Sequence, residues 1–210
     1  MKVQTLLATG LTACLLAGLS ASANAQELLT NPGFEDLDMD GSAGDGWGSY
    51  GAAGFNAFFG DNAHASLFAD NAGNFGGVFQ QGIAGSEGLT YSFDLTDVRI
   101  ESNFDASLRF GLEYYPADDA TLISADLVEI FAPGDGMPTG DGLTFSMTSS
   151  APAGTAFVRP IVQFDQTNGS ASGQENAFVF DASLAVAAVP EPASMMAMAF
   201  IGGLGLLRRR

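Results

Sequence analysis

The chain has 210 residues, 24 acidic against 7 basic, for a formal net charge of −17, and 47% of it is hydrophobic. Such acidity excludes nucleic acid as a partner, because phosphate binding needs clustered Lys and Arg, and it disfavours anionic membrane surfaces and acidic polysaccharides. One Cys and one His exclude a multi-His zinc centre, a Cys–His pair and an internal disulfide.

The chain opens on Lys2, then an apolar run from Leu6 to Leu19 interrupted by Thr9, Gly10 and Thr12, then Ala23-Asn24-Ala25. A basic start, an apolar stretch and a small-residue cleavage site make residues 1–25 a secretory signal peptide, expected as a helix and carried through the Sec translocon. The mature chain then begins at Gln26 or Glu27. Leu11-Thr12-Ala13-Cys14 also fits a lipobox, but the apolar run continues past Cys14 to Leu19. Residues 26–188 remain as one domain by length. It holds 23 acidic residues against Arg99, Arg109 and Arg159.

Within that domain apolar and polar residues alternate over short stretches between Gly-rich turns, the β-strand pattern. His64 to Phe68, Val78 to Gln81 and Leu127 to Ile130 are short candidates. Leu89, Tyr91, Phe93 and Leu95 share a face, and Val98 and Ile100 continue in the opposite phase, so a bulge or bend is expected near Thr96. Leu108, Phe110, Leu112 and Tyr114 alternate with Arg109, Gly111 and Glu113; Leu143, Phe145 and Met147 form another face. Phe157 to Phe164 reads as a strand whose Pro160 places it at an edge or a bulge. Phe178, Phe180, Ala182 and Leu184 close the domain on one face. Eight or nine strands and no helix imply an all-β, two-sheet sandwich or jelly roll.

Several pieces resemble the galactose-binding-like jelly rolls, a superfamily that includes many carbohydrate-binding modules. Leu28-Leu29-Thr30-Asn31-Pro32-Gly33-Phe34-Glu35-Asp36 with Gly46-Trp47 is similar to the family's opening. Val78-Phe79-Gln80-Gln81 before Gly88-Leu89-Thr90-Tyr91, Ala151-Pro152-Ala153-Gly154-Thr155 and the closing Phe180-Asp181-Ala182-Ser183-Leu184 follow in the family's order. The closing motif departs from the family in carrying one Asp, and Gly51 to Gly77, rich in Gly, Ala, Asn and Phe, has no counterpart. The resemblance implies a structural calcium that ties the first strand to the last, with Glu35 and Asp181 as its carboxylates. Calcium takes six to eight oxygens.

Asp36, Asp38 and Asp40 precede Gly41 with the alternation of an EF-hand loop, but the twelfth position is Trp47 and flanking helices are missing. The stretch is either a weak, open calcium loop or an ordinary polar loop. His64 lies in an apolar-alternating stretch, and nothing positions a Ser66–His64–Asp triad, so a non-enzymatic role is expected. Binding residues are sought among flat polar aromatics, because sugar C–H faces stack on rings. The candidates are Trp47, Tyr50 and Tyr115, with Tyr114 turned to the core side of its strand and Tyr115 to the exposed side; the family more often packs the Trp.

The chain ends on Val189-Pro190-Glu191-Pro192, then Ala193 to Leu207 without a charge, then Arg208, Arg209 and Arg210. The prolines bar a helix start there. The run 193–207 is a short transmembrane segment, below the ~20 residues of a comfortable span, and the arginines fix its cytoplasmic side. This tail, 189–210, resembles the PEP-CTERM sorting signal of Gram-negative bacteria. The resemblance implies recognition and cutting by an exosortase, a membrane cysteine protease, and an association with exopolysaccharide. A plain C-terminal anchor would explain neither Pro-Glu-Pro nor the short span.

The expectation is therefore a non-catalytic β-sandwich exported by Sec, held in the inner membrane only through its tail, and released to the cell surface or extracellular matrix, where it binds neutral glycan or exopolysaccharide. The alternative is a self-associating structural matrix or adhesion protein, with the Phe-rich stretch 51–77 as its adhesive. Mass spectrometry of the exported protein should find the N-terminus at Gln26 or Glu27 and the C-terminus near Pro190. An exported form still carrying Arg208 to Arg210 would overturn the sorting expectation.

Overall fold

A computed structural model describes residues 26–39, 43–56, 63–68, 73–101, 104, 106–132, 140–166 and 176–187. The expected flanking helices, 1–25 and 189–210, lie outside these residues, as does the segment 193–207. No helix among the described residues is long and apolar enough to cross a membrane.

Among the described residues, eleven strands form two antiparallel sheets. The first joins β1 (Gly48–Gly51), β4 (Phe75–Phe79), β10 (Phe157–Asp165), β7 (Ser107–Tyr115) and β8 (Ser124–Phe131) in that order, with the two-residue β5 (Ile83–Ala84) beside β10. The second runs β2 (Ala53–Asn56), β3 (His64–Phe68), β11 (Asn176–Val186), β6 (Thr90–Ile100) and β9 (Gly140–Ser150). The all-β sandwich expected from alternation is the observed architecture. The strands that alternation missed, β1, β2 and β5, are short, and two of them carry glycines where a core residue would announce a strand.

The facing sides of the sheets meet through aromatic pairs. Phe93 of β6 lies 5.6 Å from Phe110 of β7, and Tyr91 lies 6.5 Å from Tyr114. All four are buried, and each such side chain contributes about 1.5–3 kcal/mol by leaving water. The Tyr114 hydroxyl donates to Ser149 Oγ at 2.6 Å, so its one polar atom is satisfied in the core.

Of the edge or bulge expected at Pro160, the edge is excluded because β10 is central, and a bulge-like break in the ladder is what is found, with four steps from Phe79 to Ile83 opposite three from Val158 to Ile161. The Pro160 carbonyl accepts from Gln80 N–H at 3.2 Å, so its missing N–H faces the same flank. There the ladder is broken between Ile83 of β5 and Phe79 of β4, and no donor is required. One expectation for another strand needs correcting. Phe178 and Phe180 do not share the face of Ala182 and Leu184. Ala177 and Val179 point into the core, then Ala182 and Leu184 do, so the phase changes across Phe180 and Asp181. The partner strand changes phase at the same level. Its core face passes from Leu95 to Val98, its register with β9 shifts there, and Asp97 takes φ +51°. The bend expected near Thr96 is therefore one half of a paired kink, since Asp181 faces Thr96 across the ladder.

The segment before β1 is held by Asn31, which is buried. Its Nδ2 donates to the Glu35 carbonyl at 2.6 Å, and its Oδ1 accepts the Glu35 N–H at 3.0 Å. This clasp holds Phe34 at φ +56°, a costly conformation for a bulky residue, with its ring fully buried 4.7 Å from Trp47. Asn31→Ala strips both backbone groups of their partner and should cost roughly 1–3 kcal/mol. Urea unfolding measures it; a midpoint equal to wild type would show that the clasp carries no stability.

Candidate functional site

The paired kink opens a cavity of about 380 Å³ lined by Gly33, Glu35, Ala63, Thr96, Asp97, Phe180 and Asp181. Glu35 arrives from the clasped loop, Asp97 and Asp181 from the two kinked strands. The Pro32 carbonyl accepts Ala182 N–H at 3.0 Å, which fastens the loop to β11 beside Asp181. The two carboxylates expected to meet, Glu35 and Asp181, thus border one cavity. Asp97 is a third acid there that alternation alone did not mark. Its signal was the phase break at Thr96.

Burial pushes the Asp181 carboxyl above its usual range, and the charge of Glu27 pushes it further, against a bond from the backbone at Ala182. The cavity therefore gathers hard oxygen donors around a carboxylate that is short of positive charge. That donor chemistry suits calcium.

A tighter acidic group lies in the adjoining loop. Asp36, Asp38 and Asp45 bring carboxylate oxygens within 4.8 Å of one another. The expected trio was Asp36, Asp38 and Asp40. Asp40 lies outside the described residues, and Asp45 closes the group from across the loop. Asp45 Oδ2 already accepts the Leu37 and Asp38 N–H groups at 2.5 and 3.0 Å, which gives it a place in an ordinary polar turn.

The aromatic candidates separate. Trp47 is 8% exposed, packs against Phe34 with the two rings tilted by 49°, and donates its indole N–H to the Asn31 carbonyl at 2.7 Å. It is a core residue, because the clasped loop needs a large ring beneath it. Tyr115 is only 4% exposed, although alternation places it on the outer face of its sheet as expected. Arg159 covers it, with the guanidinium 4.4 Å from the ring centre. Tyr50 is half-buried on the same outer face, and its hydroxyl donates to Gln163 at 3.0 Å. Its pKa is raised, first by burial, then by the Glu113 charge, against the lowering effect of Arg159.

Together these side chains form a strip across the outer face of β1, β4, β10 and β7. The rings of Phe75, Tyr50 and Phe79 follow one another at 6.5 and 6.3 Å. Arg159 continues the line, its guanidinium lying over Phe79 at 5.0 Å as well as over Tyr115. Glu113 holds that guanidinium at 2.6 Å, and the Tyr115 hydroxyl bonds to both Arg159 and Glu113. Arg109 with Glu129 at 3.4 Å adds a second, exposed pair on this face. Two of the domain's three arginines thus stand on one sheet face. Glycines make room for the rings. A Cβ at Gly48 would fall 2.7 Å from the Phe79 ring, and one at Gly77 would fall 2.8 Å from the Tyr50 hydroxyl. Phe75 was expected only as one of the adhesive phenylalanines of the stretch 51–77, and Phe79, Arg159 and Gln163 were not expected as binding residues. The available signal was Gly76-Gly77 between two phenylalanines.

The chain carries a PEP-CTERM protein-sorting motif over residues 188–210, which marks export and membrane-linked processing. No curated protein matches the chain in sequence. Among solved structures it is similar to the Stig cyclase Fisc from Fischerella sp. TAU, with 12% identity, 80% of this chain and 100% of that one covered, and a TM-score of 0.53. The enzymatically active domain of bacteriophage CBA120 tailspike protein 4 gives 10% identity and a TM-score of 0.51; the likeness covers 77% of this chain but 21% of that one. The CBM22-1 xylan-binding domain from Paenibacillus barcinonensis Xyn10C gives 11% identity, 79% and 97% coverage and a TM-score of 0.46. At these identities the first two likenesses show a shared jelly-roll fold.

The Asp181 environment sets a pH dependence. Its folded pKa is raised, so the folded state holds the proton more tightly than the unfolded one, and ionisation removes stability as pH rises from the ordinary carboxylate value through the raised one. In EDTA at pH 7, Asp181→Asn should melt at or above wild type, and the difference should close below the carboxylate range. A variant melting lower than wild type at pH 7 in EDTA would show that the charge is stabilised without metal.

Proposed function

We propose that this is a non-catalytic protein, exported through Sec and released by an exosortase, that binds neutral glycan along the outer face of the β1–β4–β10–β7 sheet and works at the cell surface or in the exopolysaccharide matrix. The observation that carries this is the strip of Tyr50, Phe79 and Arg159. It offers flat rings for sugar C–H faces and, in Arg159, Glu113 and Gln163, donors and acceptors for hydroxyls. The Arg159–Glu113 pair leaves the strip without a strong excess of either charge, which suits a neutral ligand. Tyr115 enters as the residue that positions Arg159 rather than as a contact.

In the same reading Glu35 and Asp181, joined by Asp97, hold a structural calcium in the cavity at the paired kink. It neutralises Asp181 and fastens the first segment to β11. Asp36 and Asp38, with Asp45, form a weaker and more exposed acidic group.

A second reading has one observation behind it. Phe75 is 58% exposed and Phe68 37% exposed, both in the Gly/Phe-rich stretch. They give a self-associating matrix protein its contacts, against the repulsion of a strongly acidic chain.

A glycan array followed by titration calorimetry tests the two together. Binding confined to neutral sugars is expected. Tyr50→Ala should weaken it about five- to thirtyfold, as loss of a ring contact worth about 1–2 kcal/mol implies. Tyr115→Ala should instead lower stability, as truncating a buried aromatic does. No sugar bound, with sedimentation that shifts with protein concentration, would replace the glycan reading with the second.

A further inference from the structure

Each sheet ends on two strands, and an edge strand offers unpaired N–H and C=O groups to any chain that can pair with it. β1 and β2 are each four residues long, and a short edge pairs poorly. β8 carries Asp126 and Glu129 along its length, and charge also guards an edge. β9 has neither protection. It is eleven residues long, and from Leu143 to Ser150 it reads Leu-Thr-Phe-Ser-Met-Thr-Ser-Ser, without a charge or a proline. Among the described residues β6 is its one strand neighbour. In a strongly acidic chain, this is the edge that a second acidic chain can approach.

The backbone of that edge faces outward at known residues. Ala151 N–H donates to the Leu89 carbonyl at 2.8 Å, toward β6. Successive residues of a strand turn their backbone groups to opposite flanks, so Ser150, Thr148 and Ser146 turn theirs to the open edge. Thr90 agrees, for it stands opposite Ser150 yet its carbonyl accepts Ala187 N–H on the β11 side. The side chains of Thr144, Ser146, Thr148 and Ser150 are exposed on the outer face, where the Thr90 and Ser150 hydroxyls already bond at 2.9 Å. On the inner face Leu143 and Phe145 pack against the core and stay partly exposed.

We propose that β9 pairs with β9 of a second copy of this chain, antiparallel about a two-fold axis at Ser146. The register is self-complementary, as a two-fold interface requires. Ser146 faces Ser146 of the second copy, Thr148 faces its Thr144, and Phe145 faces its Met147. Hydroxyls meet hydroxyls on the outer face and apolar side chains meet on the inner, both of them pairings that stabilise a sheet. Each pair whose backbone groups point outward exchanges two hydrogen bonds. Acid repulsion does not forbid the contact. Asp94 is the acid in the central row, opposite Ser146 on β6. Across the axis the two copies of Asp94 stand three strand spacings apart, about 14 Å, beyond the ~8 Å screening length of physiological salt. The axis runs across the sheet, so both copies turn their first sheet to the same side. Two aromatic strips on one side act as a bivalent surface for a long glycan; that consequence alone rests on the glycan reading above.

The test is sedimentation velocity of the full chain in detergent, over a range of protein and salt concentrations. Wild type should form a dimer that tightens with salt, as the acidic copies are screened from one another. Ser146→Lys and Ser146→Asp each set like charges opposite one another at the axis. Each should weaken the dimer at least tenfold at an unchanged melting temperature, because the site is exposed. An equal mixture of the two should restore the dimer, since opposite charges then meet. Thr148→Lys, on the same exposed face, stands in with a smaller loss if a Ser146 variant does not fold. A monomeric wild type would overturn the pairing. So would a dimer that both Ser146 variants leave intact, which would point instead to Phe68 and Phe75. A mixture that stays monomeric would overturn the register at Ser146. β9 belongs to the sheet that does not carry the strip, so glycan binding by the monomeric variants tells failure of this pairing from failure of the glycan reading.

Discussion

The paired kink in β6 and β11 is the constraint on which the rest depends. A strand presents alternate residues to opposite faces, so a single-residue slip would turn every later side chain outward. Here both neighbours slip at the same level. Val98 and Ile100 return to the core on one strand, opposite Val179 and Ala177 on the other. The displaced pair, Asp97 and Asp181, is turned out together. The sandwich keeps a continuous core, and the expelled residues become the wall of the carboxylate cavity. Glu35 could not reach that wall without the Asn31 clasp, whose cost in backbone strain at Phe34 is offset by burying that ring against Trp47.

Charge explains why the other face looks as it does. In a domain with 23 acids and three arginines, an unpaired arginine would find a carboxylate almost anywhere. Arg159 is instead wedged between two rings and fixed to one chosen partner, Glu113. A guanidinium keeps its fork of donors when stacked and holds its shape at little further entropic cost. The same packing buries Tyr115, which alternation by itself turns to solvent. The strip is thus built on the outer side of a sheet whose inner side is closed by Phe110 and Tyr114, and the β7 strand serves both layers at once.

Much of this was legible in the chain. The period-two faces of β6, β7 and β9 needed only alternation, and the bend near Thr96 showed as a break in that period. The partnership of Glu35 with Asp181 came from motif order, since 146 residues separate them and no local pattern could join them. What stayed hidden was whatever depends on a second layer over a face. Alternation says which side Tyr115 takes and is silent about Arg159 arriving from another strand. It misled on Phe178 and Phe180 for the same reason: both are apolar and both are buried, but on the outer side of their sheet, in contact with His64. Glycine hid β1 and half the strip, because a missing side chain reads as a turn when its use is to let a neighbouring ring lie flat.

The arrangement places two different demands at two different places, and the topology keeps them apart. The cavity with its carboxylates sits on the second sheet at the kink, where the first segment meets the last strand. The aromatic strip sits on the outer face of the first sheet. A cation that neutralised Asp181 would stabilise the native state with the logarithm of its concentration over its dissociation constant, by about 2.7 kcal/mol at a hundredfold excess. That gain acts on the closure of residues 27–35 against β11 and leaves the geometry of Tyr50, Phe79 and Arg159 untouched, since none of them borders the cavity. If the proposed calcium binds, it acts on the closure of the domain and the proposed glycan acts on the strip, so a change in one should be measurable without a change in the other.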